Sequence, residues 1–299
     1  MIQTLSRKSE YELLDLFENF GMIIADEMHH TPASSYKLLN YFMGKYRVGL
    51  TATPERSDGM ENLMYWYFGK SCYTYERTSD EKDILPVKVI LKEVDLEFTP
   101  KVIWRGKEVL ITSIPVKHRP KFPYFTLDGI ITLSKKYRTQ VMQDVVFEYK
   151  KKRSIILFFS QKTCVREYAR MLEKEFNIPK KDMLLFYGDN LTKTEELKIK
   201  AESIPITLAT YSLVGEGTNV KAWEVAFLVS SVSNEKRTEQ AIGRIRRVKS
   251  GKLNPVLVYD YSLPKVYILR GHIFKRLARY KKLGFRVESM LCEKFKRGY

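Results

Sequence analysis

Apolar residues in this chain recur with two periods, and their alternation sets the expected fold. Leu13, Leu14, Leu16 and Phe17 make a helical stripe, and Gly21 opens the run Met22-Ile23-Ile24-Ala25, which predicts a buried strand. Residues 32–41 suit a second helix, and Val48-Gly49-Leu50 leads a second strand into Thr51. Helix and strand alternating in this way build a parallel sheet covered by helices. The same texture returns after residue 128. A helix is predicted over 135–151, then a strand over 154–159, with Ser160 placed to cap a helix lined by Tyr168, Met171, Leu172 and Phe176. Further strands are predicted at 184–187, 206–210, 225–229 and 256–259, and a final basic helix over 264–283.

Between these stretches, over residues 86–127, Pro86, Pro100, Pro115, Pro120 and Pro123 interrupt short β-favouring runs such as Val87-Lys88-Val89-Ile90-Leu91. This predicts an irregular, β-rich connection. Trp104-Arg105-Gly106-Lys107 within it reads as an ordinary solvated turn, with a basic hairpin touching DNA as the alternative.

Composition narrows the class. The 299 residues are 44% apolar and 13% aromatic, enough for well-filled cores and unlike a disordered chain. Fifty-two Lys and Arg against 35 Asp and Glu leave a formal charge of +17, which favours a polyanionic partner through counterion release. Cys72, Cys164 and Cys292 are far apart and form no Cys-x-x-Cys pair, so neither a disulfide framework nor a zinc cluster is indicated. The start lacks a signal-peptide core and no apolar run is long enough to span a bilayer. The expectation is a soluble intracellular protein, of a bacterial or phage-infected cytoplasm, with no membrane partner.

Candidate chemistry gathers at the predicted strand ends. Asp26-Glu27-Met28-His29 follows the first apolar run, and adjacent carboxylates at the carboxyl edge of a parallel sheet suit a metal-bound phosphate. A simple metallohydrolase using Asp26, His29 and His30 is the rival, but adjacent histidines cannot share one helical face. Thr51-Ala52-Thr53-Pro54-Glu55-Arg56 ends the second strand. Downstream, Gln240-x-x-Gly243-Arg244-x-x-Arg247 carries a glycine that permits close backbone approach and two arginines expected on one helical face. Arginine's planar fork binds phosphate oxygens bidentately.

In these boxes the chain resembles superfamily 2 DNA helicases of the DEAH-box type, nearest to phage and repair helicases. The resemblance implies two RecA-like lobes with parallel sheets. Residues 1–85 would be the rear part of the first lobe, 86–127 the connection, and 128–299 the second lobe. It implies Mg²⁺ at Asp26 and Glu27, with Glu27 polarising the attacking water, and Arg244 and Arg247 as cationic fingers on ATP. His29, Thr51 and Thr53 would couple the nucleotide to the lobes, together with Gln240 and Gly243. The segment from Thr210 to Val220 resembles the motif that contacts the nucleic-acid backbone and the nucleotide, placing Thr210, Gly217 and Asn219 in the site. Asn219 stands where the family carries Asp. Gln3 and Arg56 would face the nucleic-acid strand, expected to be single-stranded or branched DNA.

The chain contains no Gly-x-x-x-x-Gly-Lys-Ser/Thr phosphate loop. It is expected to need that cradle from a separate polypeptide or a missing N-terminal segment. The alternative is a catalytically degenerate DNA-binding or regulatory module.

Overall fold

A computed structural model describes residues 5, 7–28, 34–51, 59–74, 84–115, 118, 124–188, 194–212, 220–231, 235–266 and 269–289. The chain divides into two compact units, Met1–Ser79 and Asp80–Tyr299. The division falls a few residues before the expected start of the connection.

In the first unit, helix α1 (Glu10–Glu18) begins with a reciprocal cap in which Glu12 N–H donates to Ser9 Oγ at 3.4 Å and Ser9 N–H to Glu12 Oε2 at 2.8 Å. The Ser9 backbone donor, its hydroxyl and Lys8 hold the Glu12 carboxyl down at about 2. Strands β1 (Met22–Ala25) and β2 (Tyr46–Gly49) pair in parallel, Met22 opposite Tyr46 and Ala25 opposite Gly49. Helix α2 (Glu61–Phe68) follows. A small core of Leu13, Phe17, Leu38, Leu39 and Phe42 lies here, with the Phe17 and Phe42 rings edge to face at 5.8 Å.

Two expectations for this unit need correction. The helix expected over 32–41 is, where described, the 3₁₀ segment Ser34–Tyr41. The strand Met22–Ala25 forms but is not buried, for Met22 is 49% and Ile24 59% exposed. A buried parallel strand is covered on both faces, and among the described residues this two-stranded sheet packs its core against one side only.

The second unit is built on seven parallel strands in the order β11-β3-β10-β9-β6-β8-β7. These are β3 (Val87–Glu93), β6 (Ile155–Phe159), β7 (Met183–Phe186), β8 (Ile206–Thr210), β9 (Val225–Leu228), β10 (Val256–Ser262) and β11 (Arg286–Ser289). Every residue of β6, β8, β9 and β10 is buried, as expected of central strands with helices on both faces. Helices α3 (Tyr124–Leu133), α4 (Lys135–Lys150) and α5 (Lys162–Phe176) cover one face with Leu127, Val141, Val145 and Val165. The other face carries α6 (Thr194–Ala201), α7 (Glu235–Ile245) and α8 (Arg270–Lys282), with Trp223, Ile242 and Tyr280 packed inside. Strands β4 (Lys101–Trp104) and β5 (Lys107–Leu110) form a separate antiparallel hairpin.

Three further expectations change in this unit. Val87–Glu93, read as a β-favouring run of an irregular, β-rich connection, is a strand as expected but lies inside the sheet between β10 and β11. Its lysines fit because Lys88 meets Glu288 at 2.8 Å and Lys92 pairs with Asp144. The final helix starts at Arg270 rather than at residue 264. Its basic face is partly structural, since Arg276 is buried against Asp260 and Arg279 pairs with Glu239. Ser160 is not the cap of α5. That position belongs to Gln161, which makes no side-chain cap bond, while the Ser160 N–H donates to Ser230 Oγ at 3.0 Å. No helix among the described residues is long and apolar enough to cross a membrane.

Candidate active site

In the first unit the acidic pair sits in the turn that closes β1. Glu27 N–H donates to Asp26 Oδ1 at 2.9 Å, and Glu27 adopts a left-handed backbone with φ 52°. Such a backbone is uncommon outside glycine, and residues held in it cluster at functional sites. Two backbone bonds fix the turn to the neighbouring strand end: Leu50 N–H to Ala25 O at 2.8 Å and Met28 N–H to Leu50 O at 2.9 Å. The acids therefore stand beside Thr51. Gly49 makes this closeness possible, because a Cβ there would lie 2.2 Å from Met28 Sδ and 3.0 Å from Phe68 Cγ.

Asp26 is exposed and Glu27 half-buried. This suits Mg²⁺, which keeps several waters and takes one or two carboxylates together with phosphate oxygens. Among the described residues no group of three or more His, Cys, Asp or Glu could hold an ion, so the fit rests on these two acids. His29, Thr53, Arg56 and Gln3 lie outside the described residues, as does His30 of the rival metal reading.

In the second unit three adjacent central strands end in hydroxyl groups. Thr210 closes β8, Ser160 follows β6, and Ser230 and Ser231 follow β9. Thr210 Oγ1 lies 3.3 Å from Ser212 Oγ. The serine pair after β9 joins several elements: Ser230 Oγ accepts from Ser160 N–H, and Ser230 O from Tyr211 Oη at 3.2 Å. Ser231 N–H donates to Asp128 Oδ1 at 3.1 Å, and Ser231 Oγ accepts from Arg276 at 3.2 Å. His272 Nδ1 lies 3.0 Å from Ser231 O, and burial pulls its imidazole below the usual range. The sequence reading anticipated only Thr210 of this group. The available signal was a pair of serines directly after an all-apolar run, too common to single out without the sheet order.

Beneath the serines lies a buried ion pair. Arg276 Nε and Nη2 donate to the two oxygens of Asp260 at 2.9 Å each, and Tyr280 Oη donates to Asp260 Oδ2 at 2.8 Å. Burial is the largest single influence on Arg276 and would lower its pKa, but the Asp260 charge and hydrogen bonds together with Tyr280 and Tyr211 outweigh it and raise it.

Helix α7 buries Thr238, Ala241, Ile242 and Ile245, which leaves Gln240 and Arg244 half-buried and Gly243 exposed. A Cβ at Gly243 would meet nothing within 4 Å, so no packing among the described residues demands glycine there. The expectation that Arg244 and Arg247 share a helical face is corrected, because the helix stops at Ile245. Leu85 N–H donates to Arg246 O at 2.8 Å, Arg246 Nε donates to Leu85 O at 3.0 Å, and Ile84 bridges Arg247. These bonds draw the chain off the helix axis. Lys252 Nζ donates to Arg247 O at 2.9 Å, and burial pulls the Arg247 guanidinium below its usual value. Gly217 and Asn219 lie outside the described residues.

The family model described as type III restriction enzyme, res subunit, matches residues 1–56. "Probable helicase D10" of Escherichia phage T5 is 24% identical over 297 residues, covering 98% of this chain and 59% of that protein. DNA 3'-5' translocase XPB2 of Sulfurisphaera tokodaii is 25% identical over 263 residues, covering 79% of this chain and 57% of the relative. The chain thus spans less than two thirds of the length of these relatives. Among solved structures, S. cerevisiae Dbp5 bound to RNA and ADP BeF3 aligns with 94% of this chain and 64% of its own at a TM-score of 0.52 and 12% identity, a likeness of fold.

Proposed function

We propose that this chain, a superfamily 2 helicase by sequence and fold, contributes to an ATP-dependent DNA helicase or translocase that moves on or unwinds DNA. The observation that carries the reading is the acidic turn: adjacent carboxylates at the end of a parallel strand, Glu27 left-handed and the turn bonded to Leu50, the residue before Thr51. Asp26 and Glu27 would hold Mg²⁺, which when bound neutralises charge on the β- and γ-phosphates. Glu27 orients the attacking water. Arg244 and Arg247 stabilise charge developing on the transferred phosphoryl group, and Gln240 and Gly243 let the nucleotide approach α7. Thr51, Thr53, His29, Gly217 and Asn219 couple the nucleotide to movement, and Thr210, Gln3 and Arg56 contact the DNA backbone.

On this reading the phosphate cradle would be supplied by a separate polypeptide or a further segment, since these 299 residues hold no such loop. The exposed apolar side chains of Met22, Ile24, Tyr46, Val48 and Leu50 support this, since a parallel sheet is stable when covered. The same lack supports a second reading, a nucleic-acid-binding module that has lost hydrolysis.

The test is strand-stimulated ATP turnover by the chain alone and with a polypeptide carrying the phosphate loop. Turnover restored by the partner and reduced about 10³-fold or more in Arg244→Ala supports the motor. Turnover unchanged in Arg244→Ala, Arg247→Ala and Glu27→Gln refutes the site. Silence throughout, with tight salt-sensitive DNA binding, supports the module.

A further inference from the structure

The hairpin of β4 and β5 has no assigned role. Its register sets Lys101 opposite Leu110, Ile103 opposite Glu108, and Trp104 opposite Lys107. Directly opposed residues share a face, so Ile103 and Leu110 lie on one face and Trp104 and Lys107 on the other. Ile103 is 72% exposed and Leu110 46%. Ordinary exposed strands carry polar residues at such positions, which makes this apolar pair a candidate contact surface.

The tip is cationic. Arg105 and Gly106 have φ of 52° and 77°, as in the two-residue turns whose twist matches the flanking strands. The Arg105 guanidinium lies 5.8 Å over the Trp104 ring, and the His118 ring lies 6.2 Å from it. Glu108, the hairpin's acid, is engaged by Lys101 at 3.2 Å. Arg105 and Lys107 have no carboxylate partner among the described residues. An indole under a guanidinium, with a lysine directly across the ladder, matches a single nucleotide, whose base is a flat π-surface and whose phosphate is an anion.

We infer that this hairpin is a contact for single-stranded nucleic acid. Bases stack at Trp104, on the face it shares with Lys107, while Arg105 and Lys107 take the neighbouring phosphates. The inference rests on the nucleic-acid reading proposed above and adds a contact separate from the strand-end motifs. The exposed apolar face would also suit a polypeptide, but the excess of cations over Glu108 and the stacked Arg105 favour a polyanion.

The experiment uses the whole chain and a fluorescein-labelled oligothymidylate, with binding followed by anisotropy across a salt series. Trp104→Ala is expected to weaken binding about 5- to 100-fold. Arg105→Ala with Lys107→Ala is expected to flatten the slope of log affinity against log salt by about 1.4, two single-strand phosphates at about 0.7 each. Photo-crosslinking of unaltered protein to an iodouracil oligonucleotide should label the peptide spanning residues 101–110, a readout independent of how the variants fold. If the unaltered protein binds while the variants keep its affinity and slope and crosslinks map elsewhere, the hairpin assignment is overturned and the nucleic-acid reading stands. Absence of any binding by the unaltered protein overturns both. A hairpin that captures a polypeptide and leaves oligonucleotide binding unmoved also overturns the assignment.

Discussion

Asp260→Asn isolates the buried ion pair that underlies the strand-end serines. Asp260 and Arg276 are each almost wholly buried, and the carboxylate accepts three bonds, two from the guanidinium at 2.9 Å and one from Tyr280 at 2.8 Å. The amide keeps the shape and removes the charge. Its NH₂ group must then point at the donors of Arg276 or at Tyr280, and the guanidinium is left in a buried site without its counter-ion. Removing one partner of such a pair costs about 3–5 kcal/mol, roughly 10²- to 10³-fold or more in the folding equilibrium. A domain has only about 5–15 kcal/mol in hand, so the variant should lose a large share of its stability. Denaturant unfolding followed by Trp223, which is fully buried in the second unit, reports the transition. The double variant Asp260→Asn with Arg276→Met removes the stranded charge and should recover part of the loss. A single variant within about 1 kcal/mol of the parent, or a double variant worse than the single, would refute the reasoning.

Two other substitutions test the geometry at the candidate residues. Gly49→Ala drives a methyl into Met28 and Phe68. It should cost about 1–3 kcal/mol and displace the acidic turn, seen as lowered turnover in the reconstituted motor. Lys252, which ties Arg247 O to the loop, has its ammonium pushed down to about 8 by burial. The unfolded chain keeps that proton up to about 10.4, so between pH 8 and 10.4 the unfolded state binds more protons and this residue's contribution to stability rises with pH. Relative to Lys252→Met, the parent should gain stability from pH 7.5 to 9.5, and an equal or falling difference would contradict the assignment.

Strand positions in the second unit were readable because central parallel strands are buried on both faces and so appear as apolar runs, unbroken in Ile155–Phe159 and Val225–Leu228. Val87–Leu91 was readable as a β-favouring run but not as an interior strand of this sheet, because Lys88 and Lys92 break the strand's apolar pattern and their tolerance depends on Glu288 and Asp144, distant in sequence. The acidic box and the Gln240–Arg247 octet were visible as residue types at fixed spacing. That spacing also suggested a single helical face for Arg244 and Arg247, which the Leu85–Arg246 backbone pair prevents.

Local order, then, determined which segments become helix or strand and where anionic chemistry could lie, because periodicity and charge are properties of neighbours along the chain. Tertiary structure decided which charges are spent internally. Arg276 reads as one more surface cation until Asp260, on a strand 16 residues away, is folded against it. Packing also decided that Ser160, Ser230 and Thr210 share one edge of the sheet, and that Met22 and Ile24 stand open on theirs. Burial and counter-ion choice depend on what lies across space, and residues far apart in sequence settle both.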